Sequence, residues 1–362
     1  MKYKLRASVS VVDLGDGLLE FFKTNTRKSI KIRVQDDTIK NLVTQLDGDT
    51  EFEALAAKYN FDVTSQNTLA LIAFLKKKAI LANDGLVKNR EDYLKYRRVI
   101  HFIEDYADSD ESLLEMWENI RNSRVVIVGL GAVGSWLAVN LVQSGVRKIV
   151  LIDNDTVELS NIHRQFGFSE SNIGQKKSAV IKQKLRQIEP SVIADEYNMF
   201  LDSDNLNCIS GPIDLIINCA DKPTVDDTSK WIGKYCINHK IPHIVGGGYN
   251  LHLSLMGQTV LPYETACVQC FDAQLKETNS FDGVNLKRLN IKNRKIGSFG
   301  PMCTIIASMT GMEAVKVLTK KIKPDNVNRR GEFNIYNMDI KYSDFVRLAN
   351  CEWCGEKIDE RD

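Results

Sequence analysis

Neither sign of charge prevails in this chain: 48 Lys and Arg stand against 47 Asp and Glu over 362 residues. A protein that coats nucleic acid or lies on an anionic membrane needs a one-sided field, and this composition offers none. Long apolar runs are missing too. No stretch of eighteen apolar residues is found, and the start, Met-Lys-Tyr-Lys-Leu-Arg, lacks the apolar core of a secretion signal. Repeats and low-complexity tracts are absent. The expectation is a soluble, cytoplasmic protein with room for two domains and a sizeable core. There are eight cysteines, and in that reducing compartment clustered ones are expected to hold metal rather than form disulfides.

Four of them are paired. Cys267-Val-Gln-Cys270 and Cys351-Glu-Trp-Cys354 each offer two thiolates to one ion, and together they make a tetrahedral four-cysteine zinc site. About 80 residues separate the pairs, far more than in a zinc finger. Such a site would pin the C-terminal tail to the domain. The alternative is a redox Cys-x-x-Cys, against which two pairs and no thioredoxin-like context weigh. Cys219, in an apolar strand, and Cys303, opening the apolar helix Thr304 to Leu318, are expected in the core.

The stretch from Ser123 to Asp155 carries the most information. A buried strand, Val125 to Val128, runs into Gly129, Gly131 and Gly134. A helix comes next over Trp136 to Ser144, then a second apolar strand ends on Asp153. Glycines let the backbone approach a phosphate, and a helix N-terminus supplies free N–H groups and a positive dipole end. An acid after the second strand suits ribose hydroxyls. A nicotinamide dehydrogenase would be the default reading of such a βαβ unit, and the residues after Asp153 argue against it. Asp155 comes two residues on, then Asn161-Ile-His-Arg164-Gln165, then Gly174-Gln-Lys-Lys177 at the start of a helix reaching Ile188. Asn161, Arg164, Gln165 and Lys177 make a polyphosphate clamp that hydride transfer does not need. Asp214 to Ala220 reads as a buried strand, so Asp221 opens onto the crevice where α/β proteins bind ligands. A carboxylate there suits Mg²⁺, with a helix N-cap as the alternative.

With these motifs and Asn218-Cys-Ala-Asp221, the chain resembles the E1-like adenylating superfamily, which includes ubiquitin-activating enzymes and the bacterial thiamine and molybdopterin sulfur-carrier activators. The likeness covers roughly Arg98 to Cys354. It implies ATP as the nucleotide, ribose at Asp153, phosphates among Asn161, Arg164, Gln165 and Lys177, and Mg²⁺ at Asp221. It also implies the split four-cysteine zinc site. Ala132 stands where the family often has a second adjacent glycine, and Lys222 where it often has Asn. The second departure weighs against a free ubiquitin-like tail as substrate. Lys95-Tyr-Arg-Arg98-Val resembles a segment whose second Arg reaches a dimer partner's ATP, so Arg98 is either such a contact or a surface helix charge. Thioester-forming relatives carry a nucleophilic Cys in the crossover loop, and Phe271 to Phe299 contains none. The basic part of that loop, Leu275 to Ile296, is either a lid for an anionic peptide or a solvated loop.

Upstream, Tyr3, Leu5, Ala7, Val9 and Val11 alternate as a half-buried strand. Asp16-Gly17 marks a turn, and Leu18 to Phe22 and Ser29 to Arg33 are further strands. Ile39, Leu42, Val43 and Leu46 sit at helical spacing, Thr50-Glu-Phe-Glu53 reads as a capping box, and Leu69, Ile72, Ala73 and Lys76 mark a third helix. This suggests a winged-helix-like domain over residues 1–85. Its 13 Lys and Arg against 11 Asp and Glu are scattered, whereas a duplex reader shows a basic face. Peptide capture by β-addition, as in the precursor-peptide recognition element of ribosomal-peptide-modifying enzymes, is the favoured reading, with a structural appendage as the alternative. Residues 86–122 read as a helical connector, with a helix over Asp110 to Asn119.

The expected fold is α/β: a Rossmann-like E1 adenylation domain over residues 123–362 behind an N-terminal α+β peptide-recognition domain. The expected protein is a homodimeric enzyme using ATP, Mg²⁺ and Zn²⁺. It activates carboxyl or side-chain groups of a ribosomal precursor peptide by phosphorylation or adenylation, including Glu side-chain cyclisation. The alternatives are nucleotidylation of a peptide C-terminus, of the microcin C type, and adenylation of a ubiquitin-like sulfur carrier.

Overall fold

The computed structural model describes residues 2–34, 37–82, 85–250, 253–278 and 297–355. It divides into two compact units, Met1–Glu118 and Asn119–Asp362.

The larger unit is wound around a six-stranded sheet. Its strands are β1 (Arg124–Val128), β2 (Lys148–Ile152), β3 (Ile193–Tyr197), β4 (Leu215–Asn218) and β5 (His243–Val245). Two further strands, β6 (Gly248–Asn250) and β7 (Leu253–Met256), lie outside it, and β8 (Thr259–Val260) completes it. The order is β8-β5-β4-β1-β2-β3, parallel throughout except for β8. Val125, Val126 and Ile127 are fully buried. That is why the strand reads as a continuous apolar run: a parallel sheet is covered on both faces. Each such side chain contributes about 1.5–3 kcal/mol of burial.

The crossovers are helical: α1 (Ala132–Gln143) after β1, α2 (Lys177–Ile188) before β3, and α3 (Val225–His239) after β4. α1 starts directly behind Gly131, four residues earlier than its apolar pattern suggests, because the glycine turn itself feeds the first helical turn. Then come α4 (Val268–Thr278) and α5 (Gly300–Thr319). α5 packs along α1. By length and composition α5 could cross a membrane, although it holds no unbroken apolar run, and 67% of its most apolar window is buried inside the protein. Cys303 lies within α5 and is buried. Strands β9 (Arg329–Asn334) and β10 (Asp339–Asp344) join β6 and β7 in an antiparallel sheet, order β6-β7-β9-β10.

The smaller unit is α+β. The alternating run from Tyr3 to Val11 is two strands, not one. Lys2–Leu5 pairs with Asp47–Glu51 and Leu81–Ala82, while Val9–Asp13 pairs with Leu18–Lys23, which in turn pairs with Lys28–Arg33. The break falls at Arg6, whose buried guanidinium donates to the carbonyls of Leu81, Glu104 and Ala107. The Arg6 main-chain N–H donates to the Ile80 carbonyl beside the first sheet, and its carbonyl accepts from the Val9 N–H, so a turn over Arg6 to Val9 separates the two strands. Asp16 and Gly17 form the expected turn with positive φ. The capping box at Thr50 does not form: Thr50 belongs to a strand and its hydroxyl bonds Asp47, while Glu51 caps the helix Phe52–Lys58 without a side-chain bond. Helices Asp37–Thr44 and Gln66–Lys77 complete a core around Phe21, Leu42, Leu75 and Ile80. The helices Tyr93–Glu104 and Asp110–Asn122 come after them in the chain.

Candidate nucleotide site

The carboxyl ends of β1, β2 and β4 surround a cavity of about 1020 Å³. Gly129 turns the chain out of β1 with φ +87°, and a Cβ there would lie 2.6 Å from the Cys219 carbonyl oxygen. Its N–H donates to the Ile152 carbonyl at 2.8 Å, and the Cys219 N–H donates to the Val128 carbonyl at 2.7 Å. The three strand ends are thus held by main-chain bonds, and only a glycine fits between them. Gly134 does not line the cavity. A Cβ on it would lie 1.9 Å from the Gly129 carbonyl oxygen, so its role is close loop–helix packing. Gly131 lines the cavity, and a Cβ there would meet nothing within 4 Å. That open space lies at the N-terminus of α1, where free N–H groups and the dipole favour an anion.

Asp153 accepts from the backbone N–H of Leu130 at 2.6 Å and of Asp155 at 2.7 Å. Burial nevertheless holds its carboxyl above the ordinary value, against those donors and the charge of Lys177. Asp155 behaves oppositely. Burial pushes its pKa up, but Lys222 and Lys177 together outweigh it and the carboxyl sits below its ordinary value. Lys177, buried at the start of α2, lies 3.1 Å from Asp155, and Lys222 lies 3.0 Å from it.

Asn161, Arg164 and Gln165 line the same cavity. The Asn161 side chain accepts from the Glu158 N–H at 3.1 Å and so braces its own turn. Arg164 donates to the Ser160 carbonyl. Gln165 is buried, and its Oε1 has no hydrogen-bond partner among the described residues. An unpartnered buried acceptor in a cavity wall costs about 1–3 kcal/mol unless a ligand or water meets it. Together with the open cradle at Gly131, it fits a bound nucleotide.

Asp221 also lines the cavity, is exposed, and has no hydrogen-bond or ion-pair partner among the described residues. The N-cap alternative fails, since Thr224 caps α3 and accepts from the Asp227 N–H at 3.1 Å. Asn218 shapes the turn before Asp221: its amide donates to Thr228 and Ser229 and its oxygen accepts from the Ala220 N–H. Cys219 lines the cavity rather than lying wholly in the core, and burial pushes its thiol up to about 12. Arg98 lies in the other unit, exposed on the helix Tyr93–Glu104.

Sequence reasoning assigned no task to Phe200, Lys222 or the Gly247–Gly248 turn, all in the lining. Each lies just beyond a strand end, which is the signal that could have found them. Residues 279–296 of the basic loop lie outside the described residues. Leu275 and Lys276 belong to α4, and Lys276 pairs with Asp272 at 2.9 Å.

Away from the cavity, the sulfurs of Cys267, Cys270, Cys351 and Cys354 lie within 4.8 Å of one another. Cys267 stands 3.8 Å from Cys270 and 3.6 Å from Cys351, and Cys270 stands 3.5 Å from Cys354. A tetrahedron of thiolates at the usual zinc–sulfur length has sulfurs roughly 3.8 Å apart. Burial pushes the Cys267 and Cys270 thiols up, so thiolates here need a cation.

This is the fold and pocket of an E1-like nucleotide-binding protein, with Arg164, Lys177 and Lys222 in the cavity wall and an acid, Asp221, beyond the end of β4. The ThiF family matches residues 104–354, and the chain belongs to it. Molybdopterin-synthase adenylyltransferase of Escherichia coli K12 is 28% identical over 271 residues, 74% of this chain and 98% of that protein. The sulfur carrier protein ThiS adenylyltransferase of the same strain is 28% identical over 274 residues, with 74% and 97% covered. Among solved structures, E. coli MccB with MccA-N7isoAsn aligns with a TM-score of 0.77 at 22% identity, covering 98% of this chain and all of that one. PaaA aligns with a TM-score of 0.71 at 22% identity, covering 94% and 99%. The chain is an enzyme of the adenylating type.

Proposed function

We propose that this enzyme uses ATP to activate a carboxyl or amide oxygen of a ribosomally made precursor peptide held by the N-terminal unit. One observation carries the choice of substrate. The sulfur-carrier activators cover 74% of this chain, whereas MccB, solved with ATP and with MccA, covers 98%. The part the carrier activators lack is therefore shared with a protein known in complex with MccA.

In the adenylating form of the reaction a carboxylate oxygen attacks the α-phosphorus. The new oxygen–phosphorus bond forms as the bond to pyrophosphate breaks, leaving an acyl adenylate and pyrophosphate. In the phosphorylating form attack falls on the γ-phosphorus and ADP leaves. Either way the chain holds two anionic reactants in line. Asp153 takes the ribose. Arg164, Gln165 and Lys177 stand around the phosphates, with Arg98 of a second protomer as a further cation in a homodimer. Asp221 would hold Mg²⁺, which neutralises charge on the phosphates. The four cysteines would hold Zn²⁺ as a structural ion.

The basic loop leans toward an acidic peptide and so toward activation of glutamate side chains for ring closure. A second reading, adenylation of a sulfur carrier, draws on the 28% identity to carrier activators. Mass spectrometry of any short peptide encoded by a neighbouring reading frame, incubated with enzyme and ATP, tests the first. Loss of water or gain of a nucleotide is the expected product. An unchanged peptide, together with adenylation of a carrier ending in Gly-Gly, would establish the second instead.

A further inference from the structure

Among the described residues the cavity's charged lining comprises four carboxylates, Asp153, Asp155, Glu158 and Asp221, and three cations, Arg164, Lys177 and Lys222. A triphosphate is itself strongly anionic. This wall repels it unless a divalent ion accompanies it and each cation is engaged. Lys177 is buried and held by Asp155, and Arg164 bonds the Ser160 carbonyl.

Lys222 differs from both. Its side chain is 60% exposed. Its ammonium donates to both carboxylate oxygens of Asp155, at 3.0 and 3.2 Å, and lies 5.7 Å from the centre of the Phe200 ring. Like any exposed lysine it is charged at neutral pH. Asp155 therefore carries two ammonium groups where one would neutralise it. The buried one is fixed by its surroundings. The exposed one sits on a flexible stem and is free to leave. It also directly follows Asp221, the acid assigned to the triphosphate's metal ion.

We propose that Lys222 is a phosphate-binding residue of this cavity. Its ammonium rests on Asp155 in the free protein and transfers to the β- and γ-phosphate oxygens of a bound nucleoside triphosphate, leaving Asp155 to Lys177. This rests on the ATP reading of the cavity and adds the cation that answers the charge a triphosphate carries beyond a monophosphate.

Calorimetric titration of the full chain with ATP and with AMP, in the presence of Mg²⁺, tests it. Absence of ATP binding by the unmodified protein would remove the ATP reading itself, and this inference with it. Given that binding, Lys222→Met is expected to weaken ATP about tenfold and AMP by less than about twofold, the loss of one charge-assisted hydrogen bond to the outer phosphates. Lys222→Arg should restore most of the ATP affinity. The ATP difference should shrink as salt rises from about 0.05 to 0.5 M. Equal ATP affinity in the unmodified protein and Lys222→Met overturns the proposal. So does an equal loss for ATP and AMP, which would assign the ammonium to the α-phosphate or ribose. Lys222→Gln provides a second neutral variant, and matching melting temperatures establish that each variant is folded.

Discussion

A methyl group added at Gly131 or at Gly134, three positions apart, should have different consequences. At Gly134 the new Cβ would lie 1.9 Å from the Gly129 carbonyl oxygen and 3.2 Å from the Cys219 Cβ, where real Cβ contacts keep 3.0 Å. Gly129 must retreat by roughly 1 Å, yet its N–H is tied to Ile152 at 2.8 Å. Overpacking of this kind costs about 1–3 kcal/mol, and a unit of this size loses about 2–4 °C of Tm per kcal/mol. Gly134→Ala should therefore lower Tm by roughly 2–12 °C. At Gly131 the new Cβ meets nothing within 4 Å. The fold loses only the preference for Gly over Ala at a helix N-cap, about 1 kcal/mol or less. The methyl, however, occupies the space where a phosphate would approach the backbone, so ATP affinity should fall at least about tenfold. Thermal denaturation with and without MgATP, paired with calorimetric titration, separates the effects. Gly134→Ala is expected to melt early. Gly131→Ala should melt near the unmodified protein and lose the upward shift that ATP produces. An unchanged Tm for Gly134→Ala would refute the close approach of loop and helix. Unchanged ATP affinity for Gly131→Ala would refute phosphate binding over that glycine.

Other outcomes rest on the same geometry. Asp221 is exposed, so Asp221→Ala should leave Tm within about 1 °C while ATP turnover falls at least about 100-fold. Undiminished turnover would exclude Asp221 as the Mg²⁺ ligand. Cys267→Ser or Cys354→Ser should lose the bound metal by elemental analysis and lower Tm, with ATP affinity changed by less than about twofold. Full metal content in either variant would dismiss the four-thiol site. His243 is buried on β5, and burial pushes its pKa from 6.5 down to about 4. The folded ring is neutral while the unfolded one gains a proton, so stability should drop by about 3 kcal/mol as pH falls from 6.5 to 4. His243→Leu should flatten that part of the urea-denaturation profile, and an identical pH dependence in the variant would contradict the assignment.

The parallel core was legible because its signals are local and redundant. Val125 to Val128 are buried, Gly129 and Asp153 follow the two strands of one βαβ unit, and Lys177 opens the next crossover helix. The thiol cluster was legible for a related reason: two Cys-x-x-Cys pairs are soft ligands at the spacing that one tetrahedral ion takes. Conformational detail was less accessible. The run from Tyr3 to Val11 alternates as one strand should, but its halves pair with different partners, Asp47–Glu51 and Leu81–Ala82 for one and Leu18–Lys23 for the other, across a turn at Arg6 to Val9. Thr50 has the local pattern of a cap, but pairing with Lys2–Leu5 draws its strand past that point. Within the site, Gly134 serves loop–helix packing and does not line the cavity, while Asn161 lines it and also braces its own turn, distinctions that motif spacing does not encode. Lys222 stands out in the sequence only as a departure from the family pattern. Its partner, Asp155, lies 67 residues earlier, and only the sheet order brings the two strand ends together.

The four-thiol group imposes an order on synthesis. Its second pair emerges 84 residues after its first. At a translation rate of about 5–20 residues per second, Cys267 and Cys270 wait roughly 4–17 s for Cys351 and Cys354. During that interval the two early sulfurs are open to oxidants and to ions of the wrong kind. Closure of the cluster is therefore a late event, reached after the strands that frame the cavity have already left the ribosome.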